Sequence, residues 1–223
     1  MSESKLGVGG VLTDLPVLWI NHQARNTDAA YKPVQLAVAA RCGLTVADTL
    51  VTNTSAAVHR FAAEGATVTK AFGATAIIED GGRKTTLTHL LDASDLTDLR
   101  GVEVSAHQFQ RWIPKACEAR LIVVGDRIFT AAIHAGSAAG YLDWRSDYGA
   151  LRYERIDPPC DVVAGVLEYC IAFGLRYGAF DFRPDGWWVF LECNATGQYG
   201  WIEDAINAPI TDTLADLLAQ GAA

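Results

Sequence analysis

The chain has 223 residues, a length for one domain or two small lobes sharing a core. Half the residues are hydrophobic and 20% are charged, which excludes global disorder and permits a sizeable core. Eighteen Lys+Arg against 26 Asp+Glu give −8, an acidic balance that argues against nucleic acid as a partner and requires a local cluster of cations, or a metal ion, for any anionic ligand.

Taken in order, residues 16–20 read as a short apolar strand, 21–29 as a polar loop, and 31–42 as a helix stopped by Gly43. A strand is expected over 49–52. Thr54 or Ser55 caps a helix through Ala63, ended by Gly65. Short β-rich runs follow at 67–72, 75–79 and 84–88, the last two joined by the hairpin signal Asp80-Gly81-Gly82-Arg83. A polar helix or loop over 90–101 leads to a strand near 108–113. Residues 119–125 and 127–134 read as a second hairpin, 161–173 as a helix, 176–182 and 187–193 as strands, and 210–218 as a closing helix.

Five cysteines at 42, 117, 160, 170 and 193 form no C-x-x-C and suggest neither a disulfide framework nor a zinc site. The N-terminus has no apolar secretory core, and no run approaches the ~18 apolar residues of a membrane span. A reduced, cytoplasmic protein with no membrane partner is expected.

The sharpest local pattern is Asp181-Phe182-Arg183-Pro184-Asp185-Gly186-Trp187-Trp188-Val189-Phe190-Leu191-Glu192-Cys193-Asn194. Strand alternation puts Glu192 and Asn194 on one face. A two-residue turn at Asp185-Gly186 would set Glu192 opposite Ala179 and bring Asp181 to the same face, whereas an odd-length turn would split them. Pro184 weakens the two-residue version, and a four-residue loop keeps the parity. Two carboxylates and an amide oxygen on one face suit magnesium, and a solvated polar sheet face is the competing reading. Gly197-Gln198-Tyr199-Gly200 adds backbone that a ligand can approach. Lys70, Lys115, Arg120 and Arg145 are candidate phosphate ligands in an acidic chain, though each alone also reads as a snorkelling surface charge. The chain has neither a phosphate loop, nor H-E-x-x-H, nor a nucleophile elbow around His134 and Ser137.

At these residues the sequence resembles the ATP-grasp superfamily and, within it, the ribosomal-peptide maturases that make graspetides, the microviridin-type macrocyclases, especially the actinobacterial kind. The resemblance runs through Leu18-Trp19-Ile20-Asn21-His22, Lys32-Pro33-Val34-Gln35-Leu36, Phe109-Gln110-Arg111-Trp112-Ile113-Pro114-Lys115, Glu118-Ala119-Arg120, Leu142-Asp143-Trp144-Arg145, Asp181-Phe182 and Glu192-Cys193-Asn194-Ala195-Thr196-Gly197-Gln198. It implies an α+β ATP-grasp fold whose two antiparallel-sheet lobes, with helices, sandwich the nucleotide. The family normally carries an N-terminal α/β domain before the Leu-Trp-x-Asn segment. Residues 1–53 are thus expected to be a remnant or linking segment, 54–113 the lid lobe and 114–223 the catalytic lobe.

Carried over by motif, Lys70 and Lys32 would lie at the phosphates, Gln110, Arg111, Trp112 and Ile113 would form the hinge that binds adenine through backbone groups, and Glu118 would take the ribose. Arg145, with Arg120 as helper, would stabilise the transferred phosphate, and Asp181, Glu192 and Asn194 would hold magnesium. The implied reaction uses ATP and Mg²⁺ to activate Asp or Glu side chains of a ribosomal precursor peptide, with a leader and an acidic core, as acyl phosphates. Hydroxyl or amine side chains then attack, giving macrolactone or macrolactam crosslinks. A homodimer is compatible with the resemblance. A generic carboxylate–amine ligase, or a truncated nucleotide-binding accessory protein, are the alternatives.

Overall fold

A computed structural model describes residues 3–73 and 76–221. Helix α1 (Glu3–Thr13) opens the chain and is followed by α2 (Gln23–Ala29) and α3 (Lys32–Arg41). Strands β1 (Thr45–Val46) and β2 (Thr49–Thr52) precede α4 (Ser55–Ala63), then β3 (Thr67–Lys70), β4 (Ala76–Glu79), β5 (Gly82–Thr85) and β6 (His89–Leu90). Two 3₁₀ turns, Asp95–Thr97 and Arg100–Val104, lead to β7 (His107–Arg111), and the hairpin of β8 (Glu118–Val124) and β9 (Arg127–Ala135) follows. After α5 (Ala138–Leu142) and two further 3₁₀ turns come β10 (Leu151–Arg155), α6 (Cys160–Phe173), β11 (Tyr177–Asp185), β12 (Trp187–Asn194), α7 (Gly200–Ile206) and α8 (Ile210–Ala219).

The expected helix 55–63 and strand 49–52 coincide with α4 and β2, and most other elements shift by one to three residues. The expected strand 16–20 is irregular chain, because Leu18 and Ile20 pack against the core beneath α7 and α8 without joining a ladder. The expected loop 21–29 contains α2, whose first turn is capped when the His22 Nδ1 accepts the Ala24 N–H. Thr75, first residue of the expected strand 75–79, lies outside the described residues.

Six strands form the larger sheet in the order β1-β12-β11-β8-β9-β10, antiparallel except for the β1–β12 pair. A second sheet has the order β2-β7-β3-β6, and β4 and β5 make a separate hairpin between β3 and β6. The larger sheet is covered on both faces. Leu121, Val123, Phe180, Phe182 and Phe190 pack beneath α3 and α6 around Tyr169, while Ile122, Val124, Phe129 and Ala179 meet Ile202, Ile206 and Ile210 of α7 and α8. This second face changes character along its strands: Ile122 and Val124 of β8 are followed on the same side by Arg120 and Glu118, and Tyr177 and Ala179 of β11 by Asp181 and Arg183. The polar end is the floor of a cleft.

The irregular segment is fixed by Asn21, a buried side chain. Its Nδ2 donates to the Tyr177 and Ala195 carbonyls at 2.8 and 3.0 Å, and its Oδ1 accepts the Arg176 and Tyr177 N–H groups at 2.7 and 2.9 Å. Replacing it strands several buried backbone groups at once. Asn21→Ala is therefore expected to lower unfolding stability by about 3 kcal/mol in urea titration.

Candidate functional site

A cleft of about 450 Å³ lies between the polar end of the large sheet and the segments flanking the β4–β5 hairpin. Lys32, Lys70, Glu118, Arg120, Arg145, Asp181, Glu192 and Asn194 all line it. Gln110, Arg111, Trp112 and Ile113 do not line this cleft. Gln110 and Arg111 are in β7, between β2 and β3, where the Arg111 N–H donates to Asp48 at 2.8 Å; the Trp112 N–H donates to Ala66 at 2.8 Å. The Arg111 guanidinium is spent on the Gly65 and Phe61 carbonyls, 2.6 and 3.1 Å away, and lies over the Phe61 ring.

The expected two-residue turn is not formed. Asp185 pairs with Trp187 across Gly186 alone, whose φ of +70° suits glycine, so the turn is odd and by itself would split the carboxylates. A β-bulge restores the parity. Phe182 pairs with Phe190 but Asp181 pairs with Glu192, so Leu191 is the extra residue and the ladder beyond it is shifted by one. Asp181, Glu192 and Asn194 then share a face, with Arg120 directly across from Asp181 on β8.

Two ion pairs dominate the floor. The Arg120 Nη1 lies 2.8 Å from both Asp181 oxygens, and the Lys32 ammonium, from the first turn of α3, pairs with Glu192. Asn194 Nδ2 bridges the two carboxylates, 3.2 Å from Asp181 Oδ2 and 3.3 Å from Glu192 Oε1. Burial raises both acids, yet they separate. Asp181 is lifted to about 6, with Arg120 pulling against burial and the Glu192 charge adding to it. At Glu192 the Lys32 and Lys70 charges overcome burial and hold the carboxyl at about 2. Lys70 itself is lowered, first by burial, and its Nζ donates to Gln110 Oε1 at 3.2 Å. Glu118, expected at the ribose, is paired with the buried Lys115.

Among the described residues no three His, Cys, Asp or Glu side chains converge as a metal group. Here the third oxygen is the Asn194 amide, and turning that amide over presents Oδ1 beside two carboxylates. The set is hard and oxygen-only, and it fits a divalent cation such as magnesium. Gly197 closes the edge of the site: a Cβ there would stand 2.7 Å from Ala179 Cβ and 2.8 Å from Arg120 Nη2.

Three further residues shape the cleft and carry no role in the sequence reading. Gln35 of α3 clamps the backbone between the two ligands of β12, its Nε2 donating to the Cys193 carbonyl at 2.8 Å and its Oε1 accepting the Cys193 N–H at 2.9 Å. Its signal was a glutamine among the buried positions of a helix. Asp143 holds Arg145 through Nε and Nη2 at 2.9 and 2.6 Å, a pair whose signal was Asp-x-Arg spacing. Arg183 lies buried with its guanidinium 3.9 Å from the Trp112 ring centre; a sequence alone does not set that stacking.

A cleft of convergent cations and carboxylates, between the polar end of a six-stranded sheet and segments leaving a four-stranded one, is the arrangement expected of an ATP-grasp ligase. No protein-family model and no curated protein matches this chain. Solved structures do. Macrocyclase MdnC from Microcystis aeruginosa MRC, bound with precursor peptide MdnA, is 34% identical over 98% of this chain and 70% of its own, at a TM-score of 0.86. A RiPP-associated ATP-grasp ligase of Chryseobacterium gregarium, in complex with ADP and a leader and core peptide, is 25% identical over 99% and 71% at 0.87. ATP-grasp ligase PsnB, complexed with a variant of a minimal precursor, Mg and ADP, is 27% identical over 89% and 61% at 0.71. The chain belongs to the ATP-grasp macrocyclases that mature ribosomal peptides.

Burial alone would raise Asp143, but the Arg145 fork holds it at about 2, below its ordinary 3.8. A depressed carboxylate contributes stability above its unfolded value and loses it as pH falls through the folded one. The stability gap between the wild type and Asp143→Asn should therefore narrow by roughly 1–2 kcal/mol from pH 6 to pH 2 in urea melts, discounted because Arg145 is partly exposed.

Proposed function

We propose that this chain uses ATP and magnesium to activate Asp or Glu side chains of a ribosomal precursor peptide and joins them to Thr, Ser or Lys side chains as macrocyclic crosslinks. The observation that carries the reading is the shared face of buried Asp181 and half-buried Glu192 and Asn194, ringed by Lys32, Lys70, Arg120 and Arg145. Strands β3 to β7, which include the β4–β5 hairpin, serve as the lid, within 54–113, with β2 of the linking segment completing their sheet, and the strands from β8 onward as the catalytic lobe, within 114–223. Among the described residues no helix is long and apolar enough to cross a membrane, and none of the five cysteines is in a disulfide; a reduced, cytoplasmic site of action agrees with both.

Asp181, Glu192 and Asn194 would hold the magnesium, which when bound offsets phosphate charge and aligns the nucleotide. Lys70 and Lys32 neutralise the phosphates from the lid and from α3. A peptide carboxylate oxygen forms a bond to the γ-phosphorus while the bond to the ADP oxygen breaks. Arg145, its guanidinium anchored by Asp143, meets the charge that gathers on the transferred group, and Arg120 supports it while holding Asp181. A peptide hydroxyl then forms the ester bond to the acyl carbon, losing its proton, and phosphate leaves. Closure of the lid keeps water from that mixed anhydride. An acidic core peptide can enter this acidic chain because five cations, Lys32, Lys70, Arg120, Arg145 and Arg183, line the cleft.

Incubation of the protein with its candidate precursor peptide, ATP and magnesium should give serial losses of water by mass spectrometry. Glu192→Gln should abolish them, with at least about a hundredfold slower turnover, while circular dichroism stays native. Water loss at the wild-type rate in Glu192→Gln would remove the assignment of the metal face.

A further inference from the structure

We propose that Asp143 is a positioning residue that ties the lid to Arg145, so that shutting the cleft and aiming its phosphate clamp are one event. The lid strap leaves the four-stranded sheet after Lys70 and rejoins it at His89, paired with Thr69. On the way, residues 71–73 and 86–88 form a wall of the cleft. Asp143, just after α5 in the chain of the larger lobe, also lines the cleft and is buried.

Its carboxylate has about four good acceptor positions, and four donors use them. Oδ1 takes the Arg145 Nε at 2.9 Å and the Arg145 N–H at 3.1 Å; Oδ2 takes the Arg145 Nη2 at 2.6 Å and the Thr88 N–H at 3.0 Å. Thr88 is the last strap residue before β6, so this bond fixes the strap where it re-enters the sheet. The same oxygen thus serves the strap backbone and the guanidinium. When the strap lifts, Oδ2 loses a donor in a buried setting, and the fork on Arg145 is no longer held from both sides. Arg145 also feels the Glu192 and Asp181 charges, which places its guanidinium in the field of the metal face.

The catalytic meaning of this coupling rests on the ligase reading above, whereas the tie itself can be tested without turnover. In amide hydrogen exchange on the free protein, Asp143→Asn and Thr88→Pro (which removes the N–H and leaves Arg145 untouched) should each speed exchange over residues 76–90 about tenfold or more, with β8 and β9 unchanged. The double variant should exchange no faster there than either single one, because both break one bond. In peptide turnover, Thr88→Pro should raise the KM for ATP more than it lowers kcat, and Asp143→Asn should lower kcat as well. Unchanged strap exchange in Asp143→Asn, additive effects in the double variant, or acceleration spread equally to β8 and β9 would overturn the proposal. A wild type that neither binds ATP nor turns over would sink the ligase reading instead, while the exchange results still decide the tie.

Discussion

Everything at this site depends on burying opposite charges on one sheet face. Arg120, Asp181, Asn194, Glu192 and Lys32 form a continuous chain of hydrogen bonds across β8, β11, β12 and α3. Each buried ion alone would carry a desolvation cost of several kcal/mol in such a setting. Paired, Arg120 and Asp181 offset one another, and removing either one leaves an uncompensated buried charge worth about 3–5 kcal/mol. The surrounding fold serves that chain: Gln35 pins the β12 backbone at Cys193, Asn21 pins the β11 entrance and Ala195, and Gly197 leaves room for the Arg120 guanidinium.

The same pairing prepares the chemistry. The two carboxylates are driven apart, Asp181 to about 6 and Glu192 to about 2, because burial lifts Asp181 against its arginine partner and with a neighbouring acid, while two lysines overcome burial at Glu192. In the free protein the cations Lys32 and Arg120 neutralise the face that would hold magnesium. On the proposed reading, nucleotide phosphates would offer those cations a new partner, which links ligand binding to release of the carboxylates through competition between anions for the same cations.

The sequence made the polar face legible because β-strand periodicity is strict: once a hairpin is recognised, parity decides which side chains meet. Its reasoning was incomplete at the turn. A one-residue connection at Gly186 and a bulge at Leu191 cancel each other, and nothing in the pattern Asp185-Gly186 signals either. Strands that are near-continuous apolar runs on either side of a turn signal, such as β8 and β9 around Gly125-Asp126, were readable. The irregular 14–22 stretch was not, because Leu18 and Ile20 gain their burial through tertiary packing, and Asn21 supplies from its side chain the hydrogen bonds a strand would make. Lys70, Lys115, Arg120 and Arg145 could be picked out as cations, whereas Lys32 and the placement around one cleft came only through the family motifs, and Lys115 is instead buried against Glu118 outside the cleft lining. Asp143 and Gln35 were quoted within those motifs, yet their roles depend on backbone contacts with Thr88 and Cys193 that no spacing encodes.

The central claim is that a peptide carboxylate becomes an acyl phosphate in this cleft, and oxygen labelling reads that step directly. With ¹⁸O in the Asp and Glu side chains of the precursor peptide, phosphate released during turnover should carry one ¹⁸O atom for each crosslink formed. Crosslinked product accompanied by unlabelled phosphate would contradict the account.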